Sequence, residues 1–283
     1  MSATTTRVKP VYDVLICGGG FAGISAAYFL SKNPKSKQLK IGIIDPRPPL
    51  SFTSSMSTEC YRNYWGKPEV FSFVSRSIDL IEELAKESQN RFVMNRRGYV
   101  YMSTKDESIE SLHSIAKDIS SNSKNLSSGF EPIREFKGSS EDLARQGYQL
   151  SSNYSIQGDN IRGFDFLMGK EAVKAVFPFL SDEVSGILHA RRCGWLSAQQ
   201  LGMYLLEQSK ENNVDYISSK VIDINQTNGN ISSILVQDKK GFLLFSSFSF
   251  IFFYLFSFIY FLFLNFVSLF LYFFIFLLFH FDL

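Results

Sequence analysis

One glycine-rich segment near the amino terminus has the residue types and spacing of a phosphate-binding turn. The letters GGGFAG satisfy the pattern G-x-G-x-x-G, directly after an apolar run at residues 13–17 that predicts a buried strand. The same letters open a predicted helix over residues 21–32. Gly18 permits a tight turn, Gly20 lets a pyrophosphate approach the backbone, and Gly23 lets the helix lie close to the strand. The predicted phosphate-binding residues are Gly18, Gly19, Gly20, Phe21, Ala22 and Gly23.

A carboxylate ends the next predicted strand. Residues 39–45 form an apolar run that closes on Asp45 and Pro46. An acidic side chain here accepts hydrogen bonds from ribose hydroxyls, and its charge repels a 2′-phosphate, which argues against NADP. Arg47 either reaches the phosphates or forms a surface ion pair. On these residues alone, NAD and FAD remain alternative cofactors.

The rest of the chain alternates predicted helices and strands, which indicates an α/β fold. Residues 121–160 are rich in Ser, Asn and Gly and predict a partly mobile surface excursion. Residues 227–230 predict a hairpin turn. Apolar periodicity predicts helices over residues 69–88, 106–121, 167–176 and 197–212, and strands over residues 98–103, 214–224 and 231–237.

The composition excludes several classes of protein. Residues 1–241 carry 29 basic and 26 acidic side chains, evenly spread, which argues against nucleic-acid binding. Cys17, Cys60 and Cys193 are far apart and form no CxxC pair, so we expect neither a disulfide framework nor a metal site. Cys17 is expected to be a small core residue. No apolar leader precedes the first strand, so an intracellular protein is expected, at a membrane only through the C-terminal segment.

The composition changes abruptly towards the C-terminal end. Of the 29 Phe residues, 17 fall in residues 242–283, and residues 242–281 contain no Asp, Glu, Lys or Arg. An uncharged helix of about 40 residues would be about 60 Å long, enough to span a membrane once or twice. We therefore expect a hydrophobic, helical tail that is either transmembrane or a translated intron. The intron is favoured, because the tail consists of residues with T-rich codons and contains no Ala or Gly.

Four segments of the chain resemble the FAD-dependent oxidoreductases of the D-amino-acid oxidase, glycine oxidase and sarcosine oxidase family. They are DVLICGGGFAGISAAYFL with KIGIID, the loop Ser54–Trp65, the segment Asn95–Met102 and the segment Gly194–Asp238, in the family's order. The match covers roughly residues 12–240. It implies a Rossmann-type FAD-binding domain that is discontinuous in sequence, with a partial, mixed substrate domain inserted into it.

The resemblance implies FAD as the cofactor and assigns further positions. Ser57 and Thr58 lie in a loop that would pack against the flavin, where their hydroxyls contact the cofactor or only cap the loop. Val221 would contact the adenine through its backbone. Arg62 is the candidate catalytic residue, because a cation in this loop would stabilise reduced flavin or hold a substrate carboxylate, with a surface role as the alternative. For the cluster HARRCGW at residues 189–195, a solvated turn is favoured over substrate recognition.

The implied reaction oxidises an amine or amino acid by hydride transfer from the carbon that bears nitrogen to the flavin, with the electron acceptor left open. In the family, another cofactor-side strand, most of the substrate sheet and a closing segment follow this point, and here the tail replaces them. A truncated, non-catalytic fragment and a membrane-anchored flavoprotein are therefore the alternatives. The expected domains are a first FAD part at 1–94, a substrate part at 95–193, a second FAD part at 194–241 and the tail at 242–283.

Overall fold

The computed structural model describes residues 7–124, 129–149, 162–228, 230–239 and 241–252. The strands are β1 Arg7–Cys17, β2 Ile41–Ile44, β3 Cys60–Tyr61, β4 Tyr99–Ser103, β5 Ile133–Lys137, β6 Phe164–Met168, β7 Gly186–Ala190, β8 Gly194–Trp195, β9 Asp215–Ile217, β10 Lys220–Thr227, β11 Asn230–Asp238 and β12 Gly241–Phe252. The helices are α1 Phe21–Lys32, α2 Pro68–Glu87, α3 Asp106–Ser123, α4 Ser140–Arg145, α5 Lys170–Val176 and α6 Ala198–Glu211, with a 3-10 turn at Thr53–Met56.

The chain divides into two compact units. The first unit comprises the segments Met1–Thr58 and Ala198–Leu283, and the second unit is Glu59–Ser197. The expected first FAD part covers residues 1–94, whereas the structure groups α2 with the second unit. Phe71 of α2 lies in one core with Ile109 and Ala116 of α3, which is the physical reason for that grouping.

The first unit is built on one sheet whose strands lie in the order β10-β11-β12-β1-β2-β9. Strands β12, β1, β2 and β9 run parallel, and β10 and β11 form an antiparallel hairpin beside β12. The parallel order β9-β2-β1-β12 is doubly wound, because the chain passes outward from β1 to β9 and returns to the other side of β1. Ligands of such sheets bind where the order reverses, at the carboxyl end of β1. One predicted strand over residues 214–224 is in fact two, β9 and β10.

The predicted helical tail is wrong for residues 242–252, which form β12 together with Gly241. This strand lies between β1 and β11, and its Leu243 and Phe245 pack with Tyr12, Ile234 and Val236 in the core of the sheet. The expectation that no further cofactor-side strand follows the hairpin is wrong for the same reason. A largely apolar, uncharged run suits a central strand as well as it suits a helix, so periodicity does not separate the two.

The remainder of the predicted tail, residues 253–283, lies outside the described residues. Where the structure describes the chain, no helix combines the length and the apolar character that crossing a membrane requires.

The second unit contains a mixed sheet in the order β4-β7-β6-β5 and a short ladder between β3 and β8. Helix α3 covers one face of the sheet, where Ile109 and Ala116 pack on Phe164 and Phe166. On the other face Leu143 of α4 joins a second core, together with Val173 of α5 and Leu167 of β6.

The predicted surface excursion over residues 121–160 is wrong where the structure describes it. Residues 129–149 contain β5 and α4, and α4 begins with a capping box in which Ser139 and Asp142 bond to each other's backbone N–H. This Ser-x-x-Asp spacing was a readable helix start within a polar segment. Residues 125–128 and 150–161 lie outside the described part.

The cluster His189, Arg191 and Arg192 is buried, so the expectation of a solvated turn is wrong. The side chains of Arg191 and Arg192 are 1% and 0% exposed. Arg191 Nη1 lies 2.8 Å from His189 Nδ1, and His189 Nε2 lies 3.0 Å from the Arg97 carbonyl. Burial, and then the charge of Arg191, lower the pKa of His189 to about 4, so the imidazole is neutral at pH 7.

Arg192 joins two helix carboxylates inside the second unit. Its Nη2 lies 2.5 Å from Asp79 Oδ1 and 2.9 Å from Glu82 Oε2, and Arg96 forms a second ion pair with Glu82. Burial opposes ionisation of Glu82, but the two guanidinium groups outweigh it and hold the pKa of this carboxyl below its usual value. The ion pairs of Glu82 with Arg192 and Arg96 therefore stabilise the fold while Glu82 is ionised.

Replacing Arg192 by Leu is expected to lower the free energy of unfolding by about 3 kcal/mol at pH 7, because the largely buried Asp79 loses the counter-charge of Arg192 and Glu82 keeps that of Arg96 but not that of Arg192. A depressed carboxyl pKa contributes stability above the unfolded pKa and loses it as the pH falls through the folded pKa. The free energies of unfolding of wild type and variant, measured by urea unfolding, should therefore differ less at pH 4 than at pH 7.

Arg76→Leu is the matched control for this prediction. Arg76 lies on α2, the helix that carries Asp79 and Glu82, and its ion pair with Glu83 is exposed. We therefore expect the free energy of unfolding to change by no more than about 0.5 kcal/mol. Equal losses for the two variants would show that the buried network does not stabilise the unit.

Candidate functional site

The glycine turn lies at the carboxyl end of β1, where the sheet order reverses. Gly18 has a φ of +116°, a conformation that side chains disfavour, and its N–H donates to the Ile44 carbonyl of β2. A Cβ on Gly23 would lie 1.9 Å from the Gly18 carbonyl oxygen. Glycine at these two positions therefore makes the turn and brings α1 against β1.

The face of the turn at Gly20 is open. A Cβ on Gly20 would have Ser54 Oγ as its nearest neighbour, at 3.4 Å, and a Cβ on Gly18 would meet no atom within 4 Å. Phe21 N–H, at the start of α1, donates to Ser54 Oγ at 3.0 Å, and Ala22 is half-buried. A bare backbone beside a helix N-terminus suits a pyrophosphate, so the geometry fits the phosphates of a dinucleotide.

Asp45 ties the strand β2 to the glycine turn. Its Oδ2 accepts from Gly19 N–H at 2.9 Å, and its Oδ1 accepts from Arg47 N–H at 2.9 Å. A carboxylate has about four acceptor positions, and ribose hydroxyls would add to the donors already present. Asp45 thus sits where the motif requires an acceptor, beside an exposed Pro46.

The side chain of Arg47 is in an ion pair. Its Nε lies 3.2 Å from Asp45 Oδ1, and its guanidinium stacks over Phe52 at 4.6 Å from the ring centroid. Of the two alternatives raised by the sequence, the structure contains the ion pair, and Arg47 is 38% exposed. A direct contact with phosphates remains a prediction.

The three other predicted cofactor residues also belong to the first unit. Ser57 follows the 3-10 turn and is half-buried, and Thr58 is exposed. Ser54, which the sequence analysis passed over, is the hydroxyl that reaches the N-terminus of α1. Val221 pairs with Val236 at the start of the β10–β11 hairpin and packs on the core of the first unit. Contacts of Ser57, Thr58 and Val221 with a cofactor remain predictions.

Two side chains complete the surroundings of the turn. Tyr216 of β9 lies against Gly19, and its hydroxyl donates to the Arg47 carbonyl at 3.0 Å. Its position could not be read from the sequence, because it depends on the pairing of β9 with β2. Cys17 is half-buried, and burial, followed by the charge of Asp45, raises the pKa of its thiol to about 11. This thiol is therefore protonated at neutral pH.

Arg62 belongs to the second unit and lies among aromatic rings. Its guanidinium carbon lies 4.5 Å from the centre of the Trp65 ring and 5.6 Å from that of Tyr99, and Nη1 donates to Tyr101 Oη at 3.1 Å. Its Nε is buried and has no acceptor among the described residues. The next residue, Asn63, is anchored by its Nδ2 to Glu131 Oε1 at 3.1 Å. A surface Arg, the alternative considered for Arg62, does not match this half-buried setting.

No metal centre accompanies these sites within the described ranges, where no group of three or more His, Cys, Asp and Glu side chains could hold an ion.

Solved structures of three enzymes share the fold. L-Proline dehydrogenase from P. horikoshii is 14% identical with a TM-score of 0.63, covering 87% of this chain and 53% of its own. Glycine oxidase from Bacillus cereus is 16% identical with a TM-score of 0.59, covering 85% and 54%. L-α-Glycerophosphate oxidase from Mycoplasma pneumoniae, with FAD bound, is 16% identical with a TM-score of 0.56, covering 86% and 53%. The chain thus spans about half the length of these proteins.

A comparison with curated proteins found no match. The family model described as DAO, FAD dependent oxidoreductase, matches residues 13–245, a range that runs from β1 through the glycine turn and Asp45 into β12. Its end at residue 245 agrees with the structure in placing the first residues of the Phe-rich segment within the fold. The chain belongs to the DAO family of FAD dependent oxidoreductases, and FAD is the family's cofactor.

Proposed function

We propose that this chain binds FAD in its first unit and that its protein oxidises the C–N bond of an amine or amino acid. One observation carries the proposal: the open glycine turn at the carboxyl end of β1 is hydrogen-bonded to the Asp45 carboxylate through Gly19 N–H. This arrangement presents N–H donors for phosphates and an acceptor for ribose on adjacent strand ends. Proline dehydrogenase and glycine oxidase, which share the fold, favour a C–N substrate.

The residues of the first unit would hold the cofactor in three places. The backbone at Gly18–Gly20 and the N-terminus of α1 would contact the pyrophosphate, and Asp45 would accept from the ribose. Val221 would offer its backbone to the adenine. When bound, FAD would supply the two-electron oxidant that accepts a hydride from the carbon bearing nitrogen, and water would hydrolyse the iminium ion that remains on the substrate.

Arg62 would hold a substrate carboxylate, which makes amino acids better substrates than simple amines. Its buried Nε lacks an acceptor among described residues, and a carboxylate is the acceptor that a guanidinium binds best. Burial raises the pKa of Tyr101 to about 12, despite the opposing charge of Arg62, so the phenol keeps its proton beside the guanidinium at neutral pH. Trp65 and Tyr99 flank the guanidinium and limit its movement.

The test is flavin binding by the purified full-length chain, followed by a substrate screen. Amino acids, N-methyl amino acids, simple amines and glycerol phosphate would be supplied with oxygen or an artificial electron acceptor. The proposal expects bound FAD and turnover of a carboxylate-bearing amine. Turnover of glycerol phosphate alone would assign C–O oxidation instead, and bound FAD without any turnover would contradict the catalytic part of the proposal.

Replacing Asp45 by Asn is expected to weaken FAD binding about tenfold. The amide oxygen can still accept from Gly19 N–H, but the charge that strengthens hydrogen bonds to the ribose is lost. The dissociation constant would be measured by titration of flavin fluorescence.

Asp13→Asn is the matched control for Asp45→Asn. Asp13 also lies in the first unit and accepts from a backbone N–H, that of Lys40, but at an exposed position away from the turn. We expect wild-type FAD affinity for this variant. If the two variants bind FAD equally well, Asp45 is not a cofactor residue.

A further inference from the structure

Tyr216 touches both segments that form the proposed FAD site. A Cβ built on Gly19 would lie 2.2 Å from the Tyr216 hydroxyl oxygen, 2.8 Å from Cε2 and 2.9 Å from Cζ, so the ring lies directly on the glycine turn. The same hydroxyl donates to the carbonyl of Arg47 at 3.0 Å. One side chain therefore spans the turn after β1 and the segment after β2.

The contact explains why position 19 is a glycine. Gly19 is not among the glycines with positive φ, so its backbone alone does not require glycine. The space that a side chain would need is filled by the Tyr216 ring instead. Gly19 occupies the first x position of the pattern G-x-G-x-x-G, between Gly18 and Gly20. The pattern by itself accepts residues other than glycine at this position. Its requirement for glycine thus arises from β9, a strand remote in sequence.

The hydroxyl of Tyr216 is held in its donor form. Burial, followed by the charge of Asp45, raises the pKa of this phenol well above its ordinary value. The phenol therefore stays protonated and keeps its hydrogen bond to the Arg47 carbonyl across the physiological range. Meanwhile the Asp45 carboxylate bonds to Gly19 N–H and Arg47 N–H, which are the same two segments.

We propose that Tyr216 is a positioning residue of the nucleotide site, which clamps the Gly18–Gly20 turn to the Asp45–Arg47 segment. Phosphate donors and the ribose acceptor are carried by different strand ends, so their spacing must be set before a dinucleotide can bind both. Tyr216 fixes this spacing by packing on Gly19, and Asp45 fixes it through hydrogen bonds from its carboxylate to Gly19 N–H and Arg47 N–H. This inference rests on the proposed FAD site.

The first experiment compares Tyr216→Phe with Tyr12→Phe in the full chain. Both substitutions remove one phenol hydroxyl from the first unit. Tyr12 donates to Asp215 Oδ2 at 2.7 Å, next to Tyr216 on β9, so it controls for the loss of a hydroxyl that anchors the same strand. We expect FAD affinity, from titration of flavin fluorescence, to fall about fivefold for Tyr216→Phe and to stay at the wild-type value for Tyr12→Phe.

The second experiment is a double-mutant cycle read by melting temperature without cofactor. Gly19→Ala should lower the melting temperature by about 5 °C or more, because its Cβ meets the ring. In a Tyr216→Ala background, the same substitution should lower it by less than half as much. Tyr12→Ala with Gly19→Ala is the control pair, for which the two changes should simply add.

The outcomes separate this inference from the proposed function. If wild type binds FAD but Tyr216→Phe binds it equally well, the positioning role is overturned while the FAD site stands. If the melting-temperature changes of Gly19→Ala and Tyr216→Ala simply add, the proposed clamp is overturned as well. If wild type binds no FAD, the proposed function fails, and the melting-temperature cycle alone then decides whether Tyr216 constrains the turn.

Discussion

A chain that ends at Lys240 is expected to lose the cooperative unfolding transition of its first unit. Such a chain lacks β12, which lies between β1 and β11 in the sheet. Leu243 and Phe245 are 6% and 2% exposed, and burial of two such side chains is worth about 3–6 kcal/mol. That loss alone is comparable to the whole stability of an average domain, about 5–15 kcal/mol.

The same truncation leaves backbone and side chains uncovered on two strands. The N–H and C=O groups of β1 and β11 that pair with β12 would lose their partners. Tyr12, whose ring meets that of Phe245 edge-on with centroids 5.7 Å apart, would be exposed together with Ile234 and Val236. β1 and β11 would each then expose an unpaired strand edge, which favours aggregation.

A chain that ends at Phe252 is the matched control, because it keeps every described strand of the sheet. Both chains would be compared by urea unfolding followed by circular dichroism, and by FAD titration. The expected result is a cooperative transition and FAD binding only when residues 241–252 are present. A chain of residues 1–240 that unfolds cooperatively and binds FAD as tightly as residues 1–252 would show that β12 is dispensable.

Replacing Gly23 by Ala is expected to cost the first unit about 4 kcal/mol or more. The new Cβ would lie 1.9 Å from the Gly18 carbonyl oxygen and 3.1 Å from its carbonyl carbon. Both are backbone atoms, so no side-chain rotation relieves the overlap, and α1 would have to move away from β1. Destabilisation of this size is at the upper end for a single substitution. It would be measured by urea unfolding of the chain without cofactor.

Gly20→Ala separates folding from cofactor binding at the same turn. Gly20 has φ −79° and ψ −179°, which alanine adopts freely, and its Cβ would meet only Ser54 Oγ at 3.4 Å. We expect stability within about 1 kcal/mol of wild type but FAD affinity lowered at least about tenfold, because the methyl group occupies the approach of the pyrophosphate. If Gly23→Ala is as stable as Gly20→Ala, the close packing of α1 on β1 does not control the fold.

Local patterns in the sequence were sufficient to predict the glycine turn and the elements around it. The strand before Gly18, the helix at residues 21–32 and the carboxylate at Asp45 are confirmed as β1, α1 and the residue after β2. These features are close together in sequence, and their chemistry depends on short-range geometry: a positive φ at Gly18, a helix N-terminus and a strand end. Such geometry is encoded by neighbouring residues, so it can be predicted without knowledge of distant contacts.

The two largest errors concern residues whose environment comes from distant parts of the chain. Residues 241–252 have the apolar run of a membrane helix, yet they form a strand because β1 and β11 offer hydrogen bonds on both sides. Arg191 and Arg192 have the composition of a solvated turn, yet Asp165, Asp79 and Glu82 neutralise them in the interior. The acidic partners of Arg191 and Arg192 lie more than 20 residues away, and β1, which pairs with β12, lies more than 200 residues away, so no local pattern reports these contacts.

The sequence by itself thus determined the α/β class and the dinucleotide-binding fingerprint, because glycine spacing and strand–helix alternation are local properties. Its resemblance to known flavoenzymes implied FAD and the family. Only the tertiary structure decided that the first Phe-rich residues complete the cofactor sheet, that Tyr216 lies on Gly19, and that Arg62 sits among aromatic rings. These outcomes depend on which strands pair and on which side chains share a buried volume. Burial free energy and backbone hydrogen bonding favour a pairing only once the whole chain is assembled.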